Sequence, residues 1–253
     1  GERCMERKLT YGELVRLKRL STPTLYNGWE QITKEDRRLY TNREETRDFM
    51  PQFGPMVGYA VTVVCEPSNP NHPKEQPNAP REYRDYIASI PGPKIVVVQD
   101  LDKPNIIGSY WGEVNSATHG ALGCVGTITD GAVRDVQEMT GNGFKALAAR
   151  MCVGHAFSWP VRWNCEVEVF GCTVKPGQLI HADQHGFLVI PEEDQQGVYE
   201  ASVFMDTNEC NTVISAARDS HGKSLEQLLK DMNDAAGKFG QNAKEKHGVA
   251  ASF

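Results

Sequence analysis

Two short runs, Gly112-Glu113-Val114-Asn115 and Arg134-Asp135, hold the side chains with the clearest chemical potential. If Gly112 ends a loop and residues 113–115 open a helix, the N–H groups of that first turn face outward, where the helix dipole favours an anion. Arg134 offers a planar guanidinium fork suited to a carboxylate. Asp135 offers a hard oxygen ligand for Mg²⁺ or Mn²⁺; Mg²⁺ usually takes one or two carboxylates and keeps several waters. Glu113 is a second carboxylate, able to hold a water or to shift its own pKa. A small 2-oxo acid satisfies all of these groups at once. Its carboxylate meets Arg134 and the N–H groups of Gly112, Glu113, Val114 and Asn115, and its keto oxygen meets the metal. Local pattern alone favours a plainer reading, in which Arg134 and Asp135 form a surface or interhelical ion pair.

The elements flanking these runs read as an α/β domain. Gly58–Cys65 and Lys94–Asp100 are apolar and β-branched, as buried strands are. After Gly112 comes a run compatible with a helix, then a short strand at Cys124–Thr129. Asp130-Gly131 has the form of a tight turn with glycine at positive φ, and Val133–Met139 reads as the start of another helix. This strand-turn-helix order places ligand groups at strand ends and helix starts. Upstream, residues 8–20 place Leu9, Leu14, Leu17 and Leu20 at near-helical spacing, and Ser21 or Thr22 with Pro23 starts a second helix through Trp29. Residues 30–52 are charged and read as a solvated helix or loop. Residues 66–80 contain five prolines and read as a surface loop or insertion, with a short helix at 81–90. Glu166–Phe170 alternates like a half-buried strand, Pro176-Gly177 is a turn, and Leu179–Ile190 is strand, turn and strand. From Glu192 the chain reads as helix, with an apolar stripe at Leu225, Leu228, Leu229 and Met232 and a frayed polar end over the last fifteen residues. No internal repeat is visible, and the expectation is one domain over 1–253.

Composition narrows the partners. With 253 residues, 40% hydrophobic and 24% charged, the chain has the profile of a globular protein. A formal charge of −6 argues against a broad phosphate-binding surface, so no nucleic acid is expected. No run approaches the roughly 18 apolar residues that cross a bilayer, and GERCMERKLT lacks the apolar core of a signal peptide. A cytoplasmic location without membrane contact follows. The seven cysteines, scattered and without a C-x-x-C pair, read as reduced thiols.

The run GEV, then GALGCVG, then TDGAVRD resembles the signature of the RraA-like family, which includes the class II pyruvate aldolases acting on 4-hydroxy-4-methyl-2-oxoglutarate and 4-carboxy-4-hydroxy-2-oxoadipate. That family's site has an acidic residue, twenty intervening positions and then Arg-Asp; Glu113 and Arg134-Asp135 meet this spacing. LKRLSTPTLYNG, MVGYAVTVV and PGQLIHADQHGFLVIP resemble further family segments in the right order, so that the likeness covers about 14–191 and leaves 192–253 as a helical extension. Asn27 and Gln178 stand where many members have Asp, Glu113 replaces the aldolases' Asp, and the 66–80 segment is longer than usual.

The resemblance implies a β/β/α sandwich similar to swivelling phosphohistidine-type domains, assembled as a homotrimer or homohexamer with sites near subunit boundaries. It implies that Gly112–Asn115 and Arg134 hold a pyruvyl carboxylate, and that Asp135 is the direct protein ligand of Mg²⁺ or Mn²⁺. Cleavage of a carbon–carbon bond then yields the enolate of pyruvate, stabilised by the metal and Arg134, with oxaloacetate decarboxylation as a further activity. A water on the metal, oriented by Glu113, serves as proton acceptor and donor. Two alternatives stand beside this: a non-enzymatic regulator that binds a ribonuclease, as some family members do, and a related lyase for a larger 2-oxo acid.

Other residues read more plainly. Lys103 and Lys145 are taken as surface residues, because no Schiff base is required. His181 and His185 fall in a hairpin, where side chains four apart do not converge on a metal, and Asp183 is a turn-stabilising residue. Glu166 and Glu168 are solvent-facing. His119 reads first as a surface histidine and second as pocket lining, Trp111 serves equally as pocket wall or core, and Cys124 is an inert buried thiol.

Overall fold

The computed structural model describes residues 6–249 and 251, and the chain divides into two compact units. One consists of residues up to Thr22 with Asp36–Glu192, the other of Pro23–Glu35 with the chain from Glu193 onward.

In chain order the elements are α1 (Tyr11–Leu17), α2 (Thr22–Ile32), β1 (Arg47–Asp48), β2 (Met56–Cys65), α3 (His72–Glu75), α4 (Ala79–Ser89), β3 (Lys94–Asp100), β4 (Ser109–Trp111), α5 (Glu113–Ala121), β5 (Cys124–Thr129), β6 (Ala132–Val133), α6 (Val136–Gly141) and β7 (Lys145–Ala148). They continue with β8 (Arg150–Met151), β9 (Arg162–Trp163), β10 (Val167–Val169), β11 (Cys172–Val174), β12 (Leu179–Asp183), β13 (Gly186–Ile190), α7 (Val198–Glu209), α8 (Ser215–Arg218) and α9 (Leu225–His247).

The first unit is built on an eight-stranded mixed sheet in the order β1-β7-β5-β3-β2-β12-β13, with β9 on β2. Strands β2, β3, β5 and β7 run parallel, joined by α4, α5 and α6, and the β12–β13 hairpin closes antiparallel onto β2. All ten residues of β2 are buried, as expected of a strand covered on both faces. Ala60, Val64, Ile95, Val97, Ile128 and Leu147 recur with the two-residue period of strands and form one core with Val167, Val169, Phe170, Cys172 and Val174 of the β10–β11 hairpin. Helix α4 buries Tyr83, Tyr86 and Ile87; the Tyr86 hydroxyl accepts the Thr62 N–H, and the Ile87 carbonyl accepts from the Lys94 ammonium. Helices and two β layers thus give the α/β architecture expected.

Several local expectations need correction. Thr10 and Glu13 form a reciprocal capping box that starts α1 later than position 8. The 30–52 stretch is not wholly solvated, because it carries edge strand β1, whose Asp48 pairs with Lys145. Lys145 is therefore a buried residue, with only 3% of its side chain exposed. Lys103 is half-buried, paired with Glu44 and lying over the Phe170 ring. Gly131 does not take positive φ. It is small because a Cβ there would lie 2.6 Å from Asp100 Oδ2.

Glu166 and Glu168 are exposed and Cys124 is buried, with its thiol pushed up to about 12 by burial. His181 bonds the Thr22 hydroxyl and the Leu17 carbonyl, while Asp183 accepts the N–H groups of both Thr22 and His185. Gln178 accepts the Lys175 N–H across the Pro176-Gly177 turn, a local role away from the chemistry. Cys4 lies outside the described residues.

In the second unit α2 and α7 meet at Gly28, where any Cβ would strike the Ser202 backbone at 2.2 Å. Trp29 donates to Asp194 and Asn27 to Glu209. The last fifteen residues are not a frayed tail throughout: α9 continues to His247, because Phe239 and Ala243 pack with Met205. The first half of α9 leaves Leu225 and Leu229 exposed.

Candidate active site

Strands β4 and β6 bring the two chemical runs together. Their parallel register pairs Ser109 with Ala132 and Trp111 with Val133, so the next residues, Gly112 and Arg134, emerge side by side. The Ser109 hydroxyl lies 2.6 Å from the Trp111 carbonyl and 2.9 Å from that of Ala132, tying the strands at their start. Each strand comes after a carboxyl end of the parallel sheet: β5 ends at Thr129, two residues before β6, and β3 ends at Asp100, with residues 101–108 leading to β4. There Asp130 accepts the Asp100 N–H at 2.8 Å. Burial pushes Asp100 up to about 6 and Asp130 up to about 7.

The expected helix from Val133 does not form there. Ala132–Val133 is strand, and Asp135 caps α6 with φ 54° and ψ 43°. Aspartate tolerates this left-handed conformation better than most residues, at a cost of about 1 kcal/mol or more. The turn brings its carboxylate back to α5, where Oδ2 accepts the Glu113 N–H at 3.1 Å. Gly112 is glycine because of this approach: a Cβ would lie 2.8 Å from Asp135 Oδ2 and 3.4 Å from Arg134 Nε. The Glu113 carbonyl receives the Ser116 hydroxyl and the Asn142 amide, which fixes α5 against α6.

Glu113, Arg134 and Asp135 therefore share one place with Gly112, Val114 and Asn115, on the wall of a cavity of about 340 Å³. Of the first-turn donors, the Glu113 N–H is engaged by Asp135; those of Val114 and Asn115 have no intrahelical acceptor. Arg134 is half-buried and makes no hydrogen bond or ion pair among the described residues, so its pairing with Asp135 as a structural bridge is not realised. No group of three or more His, Cys, Asp or Glu side chains able to hold a metal occurs among the described residues. A single carboxylate beside an open cavity fits a cation that keeps most of its waters, as Mg²⁺ does, and does not fit a closed zinc cage.

The rest of the wall was legible only in part: Trp111 and the second reading of His119 anticipated it. His119 is buried, not superficial, with its ring 4.6 Å from that of Trp111. Its Nδ1 lies 2.7 Å from the Asn115 carbonyl and its Nε2 2.9 Å from the Tyr83 hydroxyl. The carbonyl can only accept, so Nδ1 carries the proton and Nε2 accepts from Tyr83. Burial pushes His119 down to about 4, which keeps the ring neutral. Trp111 serves as both wall and core, and its buried indole N–H has no acceptor among the described residues. Tyr83 and Arg84 of α4, with His155 and Ser158 of the loop after β8, also line the cavity. Only the i, i+3, i+4 spacing of Tyr83, Tyr86 and Ile87 hinted at α4's buried face; nothing placed Arg84.

The RraA-like family profile, Aldolase/RraA, matches residues 22–189. Over 180 residues the chain is 29% identical to Protein DlpA of Legionella pneumophila, covering 70% of this chain and 27% of DlpA. A second match, 27% identical over 108 residues, is to the uncharacterized protein MJ0644 of Methanocaldococcus jannaschii, covering 42% of this chain and 52% of that one. The chain thus spans about a quarter and about half of the lengths of these relatives. A crystal structure of an uncharacterized protein from Pseudomonas syringae pv. tomato superposes with a TM-score of 0.66 at 19% identity, over 89% of this chain and 96% of that one. Streptomyces coelicolor RraAS2, an unusual member of the RNase ES inhibitor RraA protein family, gives 0.61 at 18% identity, over 82% and 97%. These likenesses are of fold. With most of its length matched by the family profile, and with that fold, the chain belongs to the RraA-like family.

Proposed function

We propose that this protein is a divalent-metal-dependent lyase that cleaves a carbon–carbon bond in a small 2-oxo acid of the 4-hydroxy-4-methyl-2-oxoglutarate or 4-carboxy-4-hydroxy-2-oxoadipate type, and that also decarboxylates oxaloacetate. The observation that carries the reading is the juxtaposition over Gly112 of an unpaired guanidinium, Arg134, with a carboxylate held in a left-handed turn, Asp135. A surface ion pair needs neither the backbone strain nor the missing side chain. An anion site beside a cation ligand uses both.

In this reading Arg134 and the N–H groups of Val114 and Asn115 hold the substrate carboxylate. Asp135 would hold Mg²⁺ or Mn²⁺, and that ion would supply Lewis-acid stabilisation of negative charge on the substrate's keto oxygen. Glu113, exposed at the cavity mouth, orients a water that takes the proton of the C4 hydroxyl. The C3–C4 bond breaks, C4 becomes the carbonyl of the departing product, and the bonding pair passes into the enolate of pyruvate. Arg134 offsets that charge, and C3 then takes a proton back through the same water. His119 stays neutral in the wall and orders Tyr83; it moves no proton.

The reading includes a homotrimer or homohexamer with the site beside a subunit boundary. Val114, 79% exposed, and Val153, 95% exposed, lie on the elements that line the cavity, and an interface buries such side chains. The same exposed side chains leave room for the second reading, a regulator that docks on a ribonuclease. The test is pyruvate release from 4-hydroxy-4-methyl-2-oxoglutarate and from oxaloacetate with Mg²⁺ or Mn²⁺. We expect EDTA to abolish it and Asp135→Ala to lower kcat at least about 10³-fold, the scale of losing one main electrostatic stabiliser. Turnover that survives both treatments would sink the proposal. Absence of turnover and of metal binding, together with a ribonuclease complex in solution, would move the function to the second reading.

A further inference from the structure

The cavity holds a second guanidinium. Arg84 lies on α4 and lines the same space as Arg134, and it makes no hydrogen bond or ion pair among the described residues. Its charge is felt by the two wall rings His119 and Tyr110. Arg84 is exposed, as an arginine on a helix surface ordinarily is, and it faces the cavity as well as solvent. It is delivered to the cavity by the proline-rich segment, which is tied down at two points ahead of α4. Ser68 is anchored to Asp102, the Gln76 carbonyl accepts the Trp159 indole N–H at 3.1 Å, and the Gln76 amide reaches the Val161 carbonyl. Pro160, between those last two partners, also lines the cavity.

At about 340 Å³ the cavity equals roughly eleven waters of about 30 Å³ each, more than a three-carbon acid fills. Two unpaired guanidiniums on one such wall call for a ligand with two negative ends.

We infer that Arg84 is a specificity-determining residue that binds a second carboxylate, on the tail of the substrate, so that the site selects 2-oxo dicarboxylates over 2-oxo acids with neutral tails. This rests on the 2-oxo acid reading above and adds the residue that reads the far end. It also separates the two reactions. A tail carboxylate that leaves as CO₂, as in oxaloacetate, is stabilised by Arg84 in the ground state and loses that stabilisation in the transition state. A tail carboxylate that stays on the departing oxo acid keeps its guanidinium throughout. Arg84 thereby favours retro-aldol cleavage over decarboxylation.

The test needs no turnover. 2-Oxoglutarate and 2-oxopentanoate have the same length and the same keto-acid head, and differ in the tail carboxylate. Calorimetry with Mg²⁺ should show wild type binding 2-oxoglutarate about 10- to 100-fold tighter, the range for a charge-assisted hydrogen-bonded pair. Arg84→Gln should erase that preference, and Arg84→Lys should restore part of it. Arg134→Gln should weaken both ligands alike and leave their ratio standing. Equal binding of the two acids by wild type, or a preference that persists in Arg84→Gln, overturns the inference and leaves the 2-oxo acid reading intact. Binding of neither acid by wild type overturns both.

Discussion

Lys145 with Asp48 and Arg134 with Asp135 are two places where this fold sets a cation near a carboxylate, and they are built to opposite ends. Lys145 and Asp48 are each 3% exposed in their side chains, and the ammonium also donates to the Met50 carbonyl. Every charge is answered inside the protein. Arg134 is answered by nothing among the described residues, and Asp135 spends one oxygen on a backbone N–H. The Asp135 backbone is left-handed, and the close neighbour of both side chains is Gly112. A paired, buried charge contributes when intact and costs heavily when broken, whereas an unpaired one beside a cavity contributes little to folding. The contrast distinguishes charge used for the fold from charge kept for a ligand.

The largest effect that could break this comparison is on stability. Lys145→Met should cost about 3–5 kcal/mol, because it leaves Asp48 charged and buried. Adding Asp48→Leu should recover most of it. Asp135→Ala, which removes turnover, should stay within about 1 kcal/mol of wild type. Urea denaturation reads all three, and a Lys145→Met protein as stable as wild type would erase the distinction.

Next in size is Gly112→Ala. Its Cβ would displace the Asp135 carboxylate, and a misplacement of about 1 Å costs about 100-fold in kcat/KM. The melting temperature should move little. Equal loss from Gly112→Ala and from Ala117→Gly on the exposed face of α5 would remove the close-approach argument.

The smallest expected effect concerns the turn that leads into the site. Folded Asp130 sits near 7, with Asp100, Lys103 and Glu44 around it, against about 3.9 for an unfolded aspartate. The fold binds more protons than the unfolded chain between those values. Its contribution is therefore present below about pH 4 and lost as pH rises through 7. Asp130→Asn keeps the oxygen that accepts the Asp100 N–H and removes the titration. It should raise the melting temperature clearly more at pH 8 than at pH 5, where only part of the contribution has been lost. His119, pushed down to about 4, acts in the opposite sense, costing stability as pH falls from about 6.5. It is common to both proteins and cancels in the difference. A variant whose gain is the same at both pH values would show that Asp130 does not titrate in this window.

The family resemblance tied Glu113 to the distant Arg134-Asp135, and the order of residues was enough to specify the buried strands β2, β3 and β5, the helix that opens at Glu113 and the hairpin at Leu179–Ile190. These are carried by local pattern: runs of β-branched residues, turn residues, and types of side chain with fixed chemistry. The tertiary structure alone decided how that distant pair closes on Gly112, because β4 and β6 are only three and two residues long and show no period. It also decided that Asp135, and not Gly131, takes the left-handed turn, and that Lys145 and His119 are interior. Arg84 reaches the cavity through a crossover helix, whose packing depends on residues far away in the chain. Burial and partnership belong to the assembled sheet: a lysine in KALA or a histidine in SATHG has the same neighbours in sequence whether water or a tyrosine covers it.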